Sequence, residues 1–269
     1  MNIYHFLESS KFIEIKDCTF KMGVGDDSIK SLLHRSLDIK KTYIYNSYPE
    51  HSVNINHVQI SKHLVSRSFF EKFINDTCYI TEAEKEGWGW TWENGWTKKN
   101  KVFWKSPFDN DSDEIYNKNN DIMPVLQVSW NDACRFCEWL SLKSGYSVRL
   151  PYEKEWEKFA TILNIEGIDN AAQNIKNNKI EYSNEFIKKL LNETIKNPSI
   201  HLPGMIWEWS NDWFDAYPEG IANKEFGKIY RVLRGGSLLS HPIQKSKQYR
   251  FRRCPTARSP FYGFRITLT

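Results

Sequence analysis

The sequence predicts one domain of mixed helix and strand in which irregular backbone outweighs regular elements. Three observations predict it. Short runs alternating apolar and polar residues lie towards both ends of the chain. Helical spacings of apolar residues fall between about 66 and 199, and aromatic residues alternate with turn formers through 87–108. The 269 residues are 40% hydrophobic, enough for one substantial core. Eleven Trp, thirteen Tyr and sixteen Phe exclude a disordered chain. No internal repeat and no clean linker interrupts the sequence, so residues 1–269 read as a single domain.

In order, residues 11–23 alternate and end at Gly23, which predicts a strand and a turn. Residues 24–50 are polar and read as loop, and 51–60 alternate again as a second strand. Ser66 is a candidate N-cap for a helix through Phe69, Phe70 and Phe73. The five tryptophans of 87–108 predict extended but irregular structure packed by large rings, and 109–121 a polar loop. After the extended run 124–130, Ser129 or Asn131 caps a helix carrying Ala133, Phe136, Cys137 and Leu140. Val148–Pro151 is extended, and a short helix follows with Trp156, Phe159 and Ala160. Residues 161–199, with Ile187, Leu190, Leu191 and Ile195 near helical period, read as a partly helical surface insertion. Short strands are expected at 205–209, 231–234, 248–253 and 262–268.

The net charge of +4 arises from 37 basic and 33 acidic residues spread along the chain, which points to no nucleic-acid partner and no membrane surface. No stretch reaches the roughly 18 apolar residues of a membrane span, and the first residues lack the basic and apolar regions of a secretory signal. A cytoplasmic protein is expected. Five scattered cysteines are too few, and odd in number, for a disulfide framework. Cys134 and Cys137 have the spacing of a zinc half-site, but no second pair completes it, and they read as small apolar residues on a helix face.

Several motifs are more specific. Val128-Ser129-Trp130-Asn131-Asp132-Ala133 precedes Phe136-Cys137, and Arg149-Leu150-Pro151-Tyr152-Glu153-Lys154-Glu155-Trp156-Glu157 follows. Trp207-Glu208-Trp209 with Asp212-Trp213, then Arg234-Gly235-Gly236-Ser237 and Gly263-Phe264-Arg265, complete the series, with Thr19-Phe20-Lys21-Met22-Gly23 at its start. In this order they resemble the formylglycine-generating (sulfatase-modifying factor) family over nearly the whole chain. The resemblance implies a C-type-lectin-like α+β fold with little regular secondary structure. It also implies structural roles for Trp130, Asp132, Arg149, Trp156, Trp209 and Arg265, and a Cys137–Cys254 contact. Arg265 is expected to pair with a core carboxylate such as Asp132 or Glu155. Glu208 is expected either against an arginine or facing a cation, which makes it the candidate calcium ligand.

The chain departs from that family where copper(I) is bound by two cysteines beyond Arg-Gly-Gly-Ser. The first position is Ser240, and the second falls within Pro242–Lys247, where no cysteine stands. Hydroxyl and amine do not replace the soft thiolates that select Cu(I), so copper is not expected. Met205 stands where the family uses an asparagine towards calcium, so at least one calcium site is expected to be lost. His51, His57 and His63, spaced six apart, fit neither a helix face nor a strand pair as a metal triad. Formylglycine generation itself is not expected, and two functions rank above it. One is a binding or accessory module whose C-terminal cleft, formed by Trp207, Ser237, His241, Tyr249, Arg250 and Arg252, takes a peptide, a small acidic molecule or a partner protein. Its positive charge would come from Lys245, Lys247, Arg250, Arg252, Arg253 and Arg258. The other is an oxidoreductase or maturation enzyme using a different or partner-supplied metal, with Ser237, His241 and Trp207 as the residues to suspect.

Overall fold

Two serine caps organise the interior. The structure, a computed structural model, describes residues 3, 7–34, 40–92, 95–108, 112–119, 121–168, 189, 192–193, 196 and 199–269. Ser66 Oγ accepts from Phe69 N at the start of a helix over Arg67–Thr77. Ser129 and Asp132 form a reciprocal capping box that starts Trp130–Ser144. The apolar faces of these two helices meet in an aromatic cluster of Phe69, Phe70, Phe73, Phe136 and Trp139, sealed by Trp104 and Phe264.

In chain order the strands are β1 Phe12–Ile15, β2 Cys18–Met22, β3 His51–Ile55, β4 Val58–Ser61, β5 Trp88–Trp92, β6 Trp96–Asn100 and β7 Val148–Arg149. They continue as β8 Trp207–Trp213, β9 Arg231–Arg234, β10 Phe251–Arg253, β11 Tyr262–Gly263 and β12 Thr267–Leu268. The helices are α1 Asp26–His34, α2 Lys41–Tyr45, α3 Arg67–Thr77, α4 Glu82–Glu86, α5 Ser112–Lys118, α6 Trp130–Ser144 and α7 Glu153–Ile162. One sheet runs β1-β4-β12-β7 and a second β10-β9-β8-β11; β2-β3 and β5-β6 are separate hairpins. The mixture is the expected α+β fold.

Three segments are more regular than the sequence predicts. Residues 24–50 contain α1 and α2, because Ile29 and Leu32, one helical turn apart, are both buried and Asp26 and Asp27 favour the first turn. The polar stretch 109–121 contains α5, anchored by buried Tyr116 against Phe108. The tryptophan-rich stretch is a hairpin. Gly89 and Thr91 point inward while Trp88, Trp90 and Trp92 share the other, half-exposed face, which is the two-residue period of a strand. A side chain at position 89 is excluded, since an added Cβ would approach the Val102 carbonyl oxygen. Ile187, Leu190, Leu191 and Ile195 of the expected insertion lie outside the described residues.

Helix α7 lies against β1, β2 and β8. In the second sheet Glu208 stands opposite Arg234 across the β8–β9 pair, and Gly263 of β11 stands opposite Glu208 on its other side. Beyond β9 the chain makes the Gly235-Gly236 turn, both residues in the left-handed region at φ 93° and 72°. A Cβ on Gly235 would sit 3.0 Å from the Trp156 ring, so the double glycine lets this loop close over α7. No helix among the described residues is long and apolar enough to cross a membrane.

Candidate functional site

The loop after the double glycine is held by its own hydrogen bonds. Ser240 Oγ accepts from Ser237 N at 2.9 Å and lies 3.1 Å from Ser237 Oγ. His241 caps a short 3-10 helix over Pro242–Lys245: its Nδ1 accepts from Ile243 N, and Gln244 Oε1 accepts from His241 N. Two of the three suspected catalytic side chains, Ser237 and His241, therefore shape the turn. Trp207 is buried and stacks on Phe251 with centroids 4.7 Å apart, and Tyr249 is 1% exposed.

The basic rim expected from the sequence does not form as an open surface. Arg250 is 2% exposed and donates from Nε and Nη2 to both oxygens of Glu153, each at 2.7 Å, and from Nη1 to the Asn46 and Asp215 carbonyls. Arg252 pairs with Glu225, and Arg258 pairs with Glu86 at 2.9 Å while lying over the Trp88 ring. These arginines are internal or paired cations, which corrects the expected ligand-binding role of Arg250 and Arg252.

Arg265 pairs with neither Asp132 nor Glu155. Its Nε and Nη2 hold both oxygens of Glu208 at 2.5 and 2.7 Å, and Trp156 Nε1 donates to Glu208 Oε2 at 2.7 Å. Both oxygens of Glu208 are thus committed, so of its two expected settings it has the arginine. Asp132 accepts from Ser129 N, Glu82 N and the Tyr79 hydroxyl, and Arg149 makes a two-pronged pair with Glu155 at 2.7 Å. Trp209 Nε1 donates to Val128 O and Trp130 Nε1 to Ser210 O, tying β8 to the start of α6. All five cysteines are free thiols, so the expected Cys137–Cys254 contact is not a disulfide; Cys137 is buried and Cys254 exposed. Burial pushes the Cys134 thiol up to about 12 and raises Cys137 as well, as for small apolar residues on a helix face. Among the described residues no three His, Cys, Asp or Glu side chains gather as a metal site.

What the structure does form beside the double glycine is a cavity of about 270 Å³. Leu64, Leu202, Pro203, Met205 and Leu238 make its apolar walls, and Glu193, His201 and Lys245 bring the polar side chains. Of these residues only Lys245 was placed near the site from the sequence. The others come from three separated segments, and a run such as His201-Leu202-Pro203-Gly204 carries no periodicity that would single it out. His201 accepts from Leu64 N through Nδ1 and sits 4.8 Å, centroid to centroid, from His63. His51 and His57 lie elsewhere, against Tyr217 and Glu14 respectively.

Burial, and then the nearby Arg265 charge, lowers His63 to about 4; burial, His63 and Arg265 lower His201 to about 3. Both rings take a proton near pH 6.5 in the unfolded chain but stay neutral when folded. Stability is therefore expected to fall as pH drops from about 6.5 towards 4. His201→Asn keeps an acceptor for Leu64 N and removes one of the two groups, so its melting temperature should fall less than that of the wild type between pH 7 and 4.5. An equal fall in both would refute this assignment.

A family model described as "Sulfatase-modifying factor enzyme 1-like domain" matches residues 7–269. The chain is 28% identical over 291 aligned residues to the formylglycine-generating enzyme of Mus musculus, covering 91% of this chain and 70% of that one. It is 31% identical over 126 residues to the mouse protein named inactive C-alpha-formylglycine-generating enzyme 2, covering 40% of this chain and 38% of the relative. The solved structure of PvdO from Pseudomonas aeruginosa superposes with a TM-score of 0.61 at 17% identity, over 96% of this chain and 93% of the other, which is a likeness of fold. The chain therefore belongs to the sulfatase-modifying factor enzyme 1-like family, as a diverged member of it.

Proposed function

We propose that this chain is a binding or accessory module rather than a formylglycine-generating oxidase, and that its ligand enters the cavity beside the double glycine. The observation that carries this reading is the cavity itself, whose walls are largely apolar and whose one lysine, Lys245, set apart from the lining carboxylate Glu193 by having no ion pair among the described residues, points to an oxygen acceptor on the ligand. Ser240 stands at the first position where the family places a copper-binding cysteine, and its hydroxyl is engaged within the turn. A chamber of about 270 Å³ is small, suited to one compact apolar group ending in an acceptor. A small acid, or a side chain or terminus of a peptide or partner protein, has that form. The named inactive relative supports a role without oxidation chemistry.

Butanoate is a suitable probe, with butanol as its uncharged counterpart. Butanoate is expected to perturb the methyl NMR signals of Leu64, Met205 and Leu238 and to bind more tightly than butanol. Leu238→Trp, which fills the chamber, should weaken butanoate at least about tenfold, the scale of one lost buried contact set. Unchanged binding in Leu238→Trp would overturn the assignment of the cavity.

A further inference from the structure

We propose that Lys245 is a nucleophile that captures a carbonyl compound, an aliphatic aldehyde or ketone, as a covalent imine inside this cavity. The inference rests on the reading of the cavity as the binding site and narrows the ligand's acceptor to a carbonyl.

The placement of the side chain comes from two glycines. A Cβ on Gly236 would lie 2.9 Å from Lys245 Cγ, and one on Gly204 would lie 3.9 Å from Lys245 Cδ. The aliphatic stem therefore runs in the space that the missing side chains leave, and few rotamers are open to it. Its end lines the cavity, where Nζ donates to the Leu238 carbonyl at 3.1 Å. Among the described residues no carboxylate forms an ion pair with it. Burial among largely apolar walls, and next the charge of Lys189, lower its pKa to about 8. A substantial share of the amine is then neutral near physiological pH and carries the lone pair that a carbonyl carbon accepts.

The step needs no metal, oxidant or reductant. The amine lone pair forms the C–N bond as the carbonyl π electrons move to oxygen, giving a carbinolamine. The C–O bond then breaks, the oxygen leaves as water with the two protons the nitrogen brought, and a C=N bond remains. The walls formed by Leu64, Met205 and Leu238 favour an apolar chain behind the carbonyl and limit the water that reverses the reaction.

Wild-type protein treated with butanal and cyanoborohydride at pH 7, followed by peptide mass mapping, tests this directly. Lys245 should gain the butyl group at least about tenfold faster than Lys21, which is exposed and paired with Glu50. The Lys245 rate should level off above about pH 8, the value to which its pKa is lowered. Lys245→Arg keeps the charge and should abolish the adduct, while Leu238→Trp keeps the lysine and should suppress it by closing the chamber. If Lys245 is labelled no faster than Lys21 while butanoate still binds in the chamber, carbonyl capture is wrong and the cavity reading stands. If butanoate does not bind and Lys245 is also unreactive, the binding reading fails, and this inference with it.

Discussion

Replacing Glu153 with alanine is expected to destabilise the chain by about 3–5 kcal/mol, the cost of stranding a buried charge. Glu153 accepts from Arg250 through both oxygens and from Arg234 Nη1 at 3.0 Å. Arg234 is fully buried and its Nη2 also reaches Glu157 at 2.5 Å, so two cations and two carboxylates neutralise one another inside the fold. Removing one carboxylate leaves two guanidinium groups facing a single partner where water does not reach. A natural domain of this kind is stable by only about 5–15 kcal/mol, so the variant sits close to unfolding. Glu153→Gln keeps the acceptor oxygen but not the charge and should fall between the variant and the wild type. Urea denaturation checks both, and a loss below about 1 kcal/mol for Glu153→Ala would show that the network is not a stabilising charge balance.

Phe136→Ala should have a comparable effect by a different route. Its ring meets Phe69 at 5.4 Å, Phe70 at 5.9 Å, Phe73 at 5.8 Å, Trp139 at 5.5 Å and Phe264 at 5.4 Å. Truncation removes the apolar burial and opens a void that five large rings, fixed on two helices and the C-terminal segment, cannot collapse to fill. About 3–5 kcal/mol is expected from the transfer and cavity costs together, with weakened near-ultraviolet dichroism from the loosened tryptophans. Phe136→Leu should lose less than half as much. If alanine and leucine behave alike, the ring is not the centre of this cluster.

The two variants probe features that differ in how far they can be read in advance. The helix of Phe136 is legible because Ser129, Asp132 and the spacing of Ala133, Phe136, Cys137 and Leu140 are local signals. The β9 strand at 231–234 is legible for the same reason. Helix α1 is not, because a short helix with few apolar anchors resembles a polar loop until Ile29 and Leu32 are seen buried. In the Glu153-Lys154-Glu155-Trp156-Glu157 run the motif suggests only Glu155 as a core carboxylate, and all three glutamates are buried. Their partners Arg149, Arg234 and Arg250 are a mixture of near and distant residues, with Arg250 lying 97 positions from Glu153.

Sequence alone was sufficient for the family, the α+β class, the main caps and the lack of cysteine at Ser240, because these depend on residue type and short-range order. Which arginines are internal, that Glu208 holds Arg265 rather than a cation, and that Lys245 lines an apolar chamber were settled only by the tertiary structure. The reason is physical: charge pairing and burial are properties of groups brought together across the chain, and the desolvation that makes an ordinary lysine reactive arises only when distant apolar segments close around it.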